Sequence, residues 1–250
     1  KSRHYARVFE RQKAAFQREF VTPEGRVIGE TQTGWVLALH FDLLKPEHRP
    51  RVLDMLVADI QKRGVRLSTG FVGSSYLPWV LSDNGRWDVA FDLLMQKQWP
   101  SWLYAVTQGA TTIWERWDGW THDKGFQDPG MNSFNHYAYG AIGSWMYGAV
   151  AGLDIEPGAK RLILRPRPGA GLTHAKAALQ TLCGPAECGW RIEGGSLVVH
   201  AVVPPNMTAT LELPDGASEP MDGGTRLVTN EGRYHLESGR YEIVCQYQRQ

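Results

Sequence analysis

The 250-residue sequence has no surplus of charge: 27 Lys and Arg stand against 26 Asp and Glu. Without a basic or acidic excess there is no polyelectrolyte footprint, so neither nucleic acid nor an anionic membrane surface is expected as a partner. No apolar run approaches the roughly 18 residues a membrane helix needs. No secretory leader is expected, since KSRHYARVFERQ opens directly into charged, helix-patterned sequence. It also opens without an initiating Met, which suggests a piece of something longer. Cysteine is scarce. Cys183, Cys188 and Cys245 form an odd set without zinc-type spacing. Cys183 and Cys188 flank the short segment GPAE and could pair across it, but reduced thiols in a cytoplasmic protein are the favoured expectation. GxGxxG before a helix, a Walker loop, HExxH and GxSxG are all missing. No cofactor and no metal is expected. GFVGSS, residues 70–75, is glycine-rich but lacks the Lys of a phosphate loop, and reads as a tight turn or a pocket-lining loop.

What is present changes type near residue 155. Tyr5, Val8, Phe9, Phe16 and Phe20 recur at three-to-four spacing, the period of a helix. A helix is expected through TGWVLALHFDLL, and Pro46 and Pro50 separate it from the next. That one carries Val52, Leu53, Leu56, Val57 and Ile60 on one face and stops at Gly64. Trp87, Ala90, Phe91 and Leu94 trace a further helix that halts before Pro100. Short connections between helices of this length predict αα-hairpins. The stretch HYAYGAIGSWMYGAVAG, residues 136–152, is apolar or small all the way round and predicts a fully buried helix, with Asn132 or Ser133 as its N-cap.

Beyond Gly158 the vocabulary is that of strands. RLILRP, LTHAKAALQTL, LVVHAVVP, TATLELP and YEIVCQY alternate apolar with polar residues between Gly, Pro and Asp turns. Gly194-Gly195 marks a hairpin. The reading is a mainly α segment, residues 1–156, followed by a small antiparallel β-sandwich, residues 157–250.

Nine of the ten tryptophans fall before residue 146, and five lie between Trp99 and Trp120. Indole faces on a concave surface suit the C–H faces of sugar rings, while hydroxyls need short polar groups. Asp118, His122, Asp123, Asp128, Asn132, Asn135 and His136 supply such groups nearby. Any one Trp is more readily core filling; it is the clustering around carboxylates that points to a site. Glu115 sits inside GATTIWERWDGW, between Trp114 and Trp117. Thr112-x-x-Glu115 matches a capping box, in which Glu turns back onto backbone. A carboxylate held among indoles also suits a general base. Both readings stand on the residues alone. His136, 21 residues on, is either a sugar contact or a core histidine.

Those stretches resemble the bacterial α-L-rhamnosidases of glycoside hydrolase family 78. The likeness lies in TQTGWVLALHFDLL, TGFVGSSYL, PSWLYAVTQGATTIWERWDGW and DPGMNSFNHYAYGAIGSWMY, continuing through RLILRPRPGAGLTHAKA into the strand-rich tail. It implies part of an (α/α)6 catalytic barrel followed by a β-sandwich, and hydrolysis of terminal α-L-rhamnosides with inversion. On that likeness Glu115 is the general base acting on water and His136 contacts the sugar. Trp114, Trp117 and Trp120 are weaker carry-overs, of which at least one lines the pocket. The family's general acid belongs to an upstream motif, DxxxRxExxGWxGD-like, that does not occur here. About six helices are legible where the barrel has twelve. An inverting glycosidase needs two carboxylates about 6.5–9.5 Å apart, so the acid is expected outside this chain. An upstream segment, a partner chain or self-association would then complete the barrel. The alternative is a non-catalytic carbohydrate-binding or assembly module of the same fold.

Overall fold

A computed structural model describes residues 2–158 and 160–248; Lys1, Ala159, Arg249 and Gln250 lie outside it. The chain divides into two compact units, residues 1–142 and 143–250.

The first unit is built from helices: α1 Ser2–Phe20, α2 Gln32–His40, α3 Arg49–Lys62, α4 Phe71–Ser74, α5 Leu77–Asp83, α6 Trp87–Met95 and α7 Trp102–Thr107. The Thr31 side chain caps α2 by accepting from the Gly34 amide, and Pro50 sits in the first turn of α3, where its missing N–H costs nothing. Helices α2 and α3 pair, as do α5 and α6, giving the expected αα-hairpins. Trp35, Val36, Leu39, Val52, Leu56 and Ile60 are buried between the first two. GFVGSS, expected as a tight turn or a pocket-lining loop, closes one helical turn, α4 at Phe71–Ser74, with Gly70 ahead of it lining a cavity. Helix α1 has a clear apolar stripe, yet none of its residues is buried, and Tyr5 is 68% exposed. A short hairpin, β1 Trp120–Thr121 with β2 Gly125–Phe126, comes after α7.

The stretch expected as one buried helix is not uniform. It runs as a 3-10 turn at Ala138–Ala141, α8 at Ile142–Trp145 and a π-helical turn at Met146–Ala151. Gly140, Gly143 and Gly148 weaken regular helix at each step. Nor is it wholly buried, since Met146 and Tyr147 are exposed and Tyr137, just ahead of it, is 88% exposed.

The second unit contains β3 Leu153–Ile155, β4 Arg161–Leu164, β5 His174–Thr181, β6 Gly184–Glu193, β7 Ser196–Val203, β8 Thr208–Leu211, β9 Ala217–Asp222, β10 Thr225–Arg226, β11 Tyr234–Leu236 and β12 Gly239–Tyr247. They form a six-stranded sheet, β10-β9-β12-β7-β6-β5, and a four-stranded sheet, β11-β8-β4-β3. Alternate residues of β7 (Leu197, Val199, Ala201, Val203) join Leu162, Leu164, Ala209 and Leu211 in one core, as face-to-face sheets require. Gly194 and Gly195, at φ +55° and +82°, make the two-residue turn between β6 and β7. One pair departs from the antiparallel expectation: β4 and β8 run parallel. After β4 the chain crosses to the other sheet for three strands, and so re-enters beside β4 in the same direction. Cys183, Cys188 and Cys245 are all free. Cys188 points into the core, where burial pushes its thiol up to about 12.

Candidate functional site

The region between α7 and residue 138 has little regular structure, and its order comes from two segments lying side by side. The amide of Glu115 donates to the Ser133 carbonyl at 2.8 Å, and the amide of His136 donates to the Ile113 carbonyl at 2.9 Å. The Thr112 hydroxyl donates to the Phe134 carbonyl. Gly119 belongs to the same arrangement. Its carbonyl accepts from Asn132 Nδ2 at 2.9 Å, and a Cβ there would meet Asn132 Oδ1 at 2.6 Å. A side chain at 119 would push the Asn132 amide out of the place where it makes that bond.

Pairing of the segments brings Glu115 and His136 together. Glu115 Oε2 accepts from the Ser133 amide at 2.8 Å, while Oε1 faces His136 Nε2 at 3.9 Å. That second distance is too long for a hydrogen bond. Both side chains are mostly enclosed, at 19% and 24% exposed. His136 Nδ1 accepts from the Ala138 amide at 3.3 Å, which leaves the proton of a neutral ring on Nε2, toward the carboxylate. The ring lies between Phe71, at 4.8 Å, and Tyr137, at 5.3 Å, stacked on both. One carboxylate oxygen is thus tied to backbone and the other is open beside a fixed N–H donor.

An aromatic wall extends from this pair. Phe71 meets Tyr139 edge-on at 5.1 Å, Tyr139 stacks on Trp117 at 3.7 Å, and Trp117 meets Trp102 edge-on at 5.3 Å. Trp102 Nε1 donates to the Tyr139 carbonyl at 2.9 Å, fixing the wall to backbone. Burial raises the Tyr139 phenol above its ordinary range, keeping it a neutral donor. Trp117, Tyr139, Trp99, Thr69 and Gly70 line a cavity of about 500 Å³, within the span of small-molecule sites.

The family model for the bacterial α-L-rhamnosidase 6 hairpin glycosidase domain matches residues 1–150, and that for the bacterial α-L-rhamnosidase C-terminal domain matches residues 152–227. The chain belongs to the bacterial α-L-rhamnosidase family. An α-L-rhamnosidase of Streptomyces avermitilis is 45% identical over 211 residues, covering 84% of this chain and 20% of the relative. One from Formosa agariphila is 38% identical over 258 residues, covering 97% of this chain and 28% of the relative. Among solved structures, the Streptomyces avermitilis α-L-rhamnosidase complexed with L-rhamnose superposes with a TM-score of 0.89 at 40% identity, over 98% of this chain and 24% of that one. The native Aspergillus terreus enzyme gives 0.84 at 36% identity, over 96% and 27%. The chain therefore spans about a quarter of the length of the relatives it matches.

Within this family member the residues singled out in the sequence take different places. Glu115 and His136 meet, while Trp117 reaches His136 only by way of Tyr139 and Phe71 and lines the cavity, which neither Glu115 nor His136 lines. Trp114 is buried against Phe134, at 5.2 Å edge to face, and Trp120 opens β1 and packs on His122. The capping box does not form, because no helix begins at Thr112; its hydroxyl goes to Phe134 and the Glu115 carboxylate to Ser133. Neither Asn132 nor Ser133 caps the helical turn beyond them. Asn132 holds Gly119, Ser133 Oγ accepts from the Asn135 amide, and His136 precedes the first turn by two residues. Of the other polar candidates, Asp118 pairs with Arg116 and Asp128 accepts from the Gly130 amide. Among the described residues no cluster of three or more His, Cys, Asp or Glu could hold a metal, and no helix is long and apolar enough to cross a membrane. Tyr139 and Phe71 of the wall, and Arg66, which also lines the cavity, are not among the sequence candidates. Tyr139 has a signal, three residues after His136 in the same motif; Arg66 has none.

Proposed function

We propose that the chain is the carboxy-terminal part of an α-L-rhamnosidase and supplies the general base of an inverting hydrolysis. The observation that carries this reading is the Glu115 carboxylate, held by the Ser133 amide through Oε2 with Oε1 open beside His136. Oε1 takes a proton from water as the water oxygen bonds to the anomeric carbon of rhamnose and the glycosidic bond breaks on the opposite face. His136 Nε2–H holds a sugar hydroxyl, and Trp117 with Tyr139 covers an apolar ring face. The general acid that protonates the leaving oxygen comes from a segment outside this chain. Exposed apolar groups on α1 and at Tyr137, Met146 and Tyr147 support a covering upstream segment, since surfaces of this kind are seldom left bare. Free thiols fit a reducing, cytoplasmic compartment.

The test is turnover of an aryl α-L-rhamnoside, whose good leaving group depends little on acid help. Glu115→Gln should remove most of it. Turnover undiminished in that variant would discard the base assignment. Binding of rhamnose by calorimetry with no product from any rhamnoside would favour the non-catalytic module instead.

A further inference from the structure

GFVGSS, residues 70–75, carries no acid or base, yet its backbone is fixed more firmly than a connection requires. Ser74 is buried, and its hydroxyl meets that of Thr69 at 2.7 Å. The Ser74 amide donates to the Gly70 carbonyl at 3.0 Å, and the Ser75 hydroxyl to the Phe71 carbonyl at 3.1 Å. A Cβ at Gly73 would meet Thr33 Oγ1 at 2.6 Å and Thr69 Cγ2 at 2.7 Å, so the missing side chain lets α4 seat against α2. Of the two large side chains on this turn, Val72 is exposed and Phe71 lies half-buried on the imidazole of His136.

The χ2 torsion of a histidine is broad, so an imidazole keeps its plane only where something holds it. The groups next to His136 in sequence hold it weakly. The Ala138 amide reaches Nδ1 at 3.3 Å, longer than a good hydrogen bond, and Glu115 Oε1 stands off at 3.9 Å. Tyr137 covers one ring face, its plane 10° from that of the imidazole, but is 88% exposed and anchors nothing to the rest of the fold. Phe71 covers the other face, with centroids 4.8 Å apart and planes 21° apart, and it comes from the fixed turn of α4. Tyr139 braces it in turn, meeting Phe71 edge-on at 5.1 Å, with its own backbone tied to Trp102 Nε1. With both faces covered, the imidazole can meet a ligand by its edge alone, through Nε2–H.

We infer that Phe71 is a positioning residue: it fixes the plane of the His136 imidazole, and with it the direction of the Nε2–H bond that holds a rhamnose hydroxyl. Phe71 acts through the ring and not on the reacting atoms, so its part in binding rests on His136 contacting the sugar. A fixed plane also holds one neutral tautomer, because Nδ1 accepts from the Ala138 amide only while that plane is kept, and Nε2 then carries the proton. The turn at residues 70–75 is thus a brace for the imidazole.

Calorimetry on the chain with methyl α-L-rhamnoside should show Phe71→Leu binding about three- to tenfold more weakly, the worth of an aromatic pair, and Phe71→Tyr, which keeps a ring on the imidazole, within about twofold of wild type. In the His136→Asn background Phe71→Leu should cost nothing further, since the ring it orients is gone. Nitrogen NMR on histidine-labelled chain above neutral pH should find the wild-type His136 ring protonated at Nε2 alone, and that of Phe71→Leu exchanging between tautomers. A side chain that only fills space would lower the melt and leave the ring as it was. A tautomer that stays fixed in Phe71→Leu, or a loss of affinity that persists in the His136→Asn background, therefore overturns the inference. So does a wild-type imidazole that already exchanges between tautomers, a result that needs no variant and stands even if Phe71→Leu does not fold. Should methyl rhamnoside fail to bind the wild type, the sugar contact falls with the rhamnoside reading, whereas the NMR result by itself decides whether Phe71 fixes the ring.

Discussion

Glu115 and Ser133 are joined twice, amide to carbonyl and amide to carboxylate, both at 2.8 Å. The carboxylate is thereby aimed by backbone atoms 18 residues away, with one oxygen engaged and one free. Glu115→Gln keeps an oxygen for the Ser133 amide, so the thermal melt should stay put while turnover of an aryl rhamnoside falls by about 10²–10⁴. Glu115→Ala should lose as much turnover and also about 0.5 kcal/mol of stability, because the Ser133 amide loses its side-chain partner. A base that acted only as a structural tether would give the reverse, with Ala unfolding and Gln fully active.

His136 does two separable things. Nδ1 accepts from the Ala138 amide, and Nε2 faces the site. Asparagine can replace the first function, since its Oδ1 reaches a backbone N–H two residues on, but has no counterpart to Nε2–H. His136→Asn should therefore fold with a near-native melt and bind rhamnose about three- to tenfold more weakly, the worth of one hydrogen bond. Rhamnose affinity unchanged by calorimetry would place the imidazole outside the site.

The same residues show what a sequence can and cannot disclose. Helix α3 was legible because burial of Val52, Leu56 and Ile60 repeats at the helix period, and the β6–β7 turn because its two glycines need positive φ. Glu115 was legible as a residue but not in its setting. Thr112-x-x-Glu115 caps a helix only if one begins there. The local conformation is decided instead by pairing with Ser133 and Phe134, about twenty residues on, and such pairing leaves no periodic trace. The parallel contact of β4 with β8 is hidden for a related reason: two four-residue strands some 45 residues apart advertise neither partner nor direction. Arg66 is a surface-type residue by sequence. Only the hydrogen bonds that Gln32 and Gln96 give to the carbonyls of Arg66 and Val65 bring it to the cavity.

Thiol chemistry gives a check on the second unit. Burial raises Cys188 to about 12 and Cys245 to about 11, so at pH 8 neither holds appreciable thiolate and neither is open to reagent. Cys183 lies partly exposed in the turn between β5 and β6. A colorimetric thiol assay should therefore find one reactive group in the folded chain and three in denaturant. Finding one in denaturant would mean that a pair had oxidised, and three reactive groups at native pace would mean that the sandwich core is open.

Acid should weaken that unit partly through Glu187. On the outer face of the six-stranded sheet Glu187 Oε2 meets Lys176 Nζ at 2.7 Å and His200 Nε2 at 3.3 Å. The hydrogen bond from Lys176, with its charge and with His200 behind it, holds the Glu187 carboxyl below its ordinary value of 4.5. The folded state then binds this proton less readily than the unfolded one, so stability rises with pH across the window. The contribution is fully present above about pH 4.5 and lost as pH falls through the lower folded value. Because solvent screens the pair, it is worth no more than about 1 kcal/mol. Urea melts of wild type and Glu187→Gln should differ by at most that amount at pH 7 and converge near pH 3. Asp42 and Asp88, also held low by basic neighbours, lower both proteins alike. A gap that stayed constant or widened in acid would show that Glu187 stabilises the sheet by packing and not by its charge.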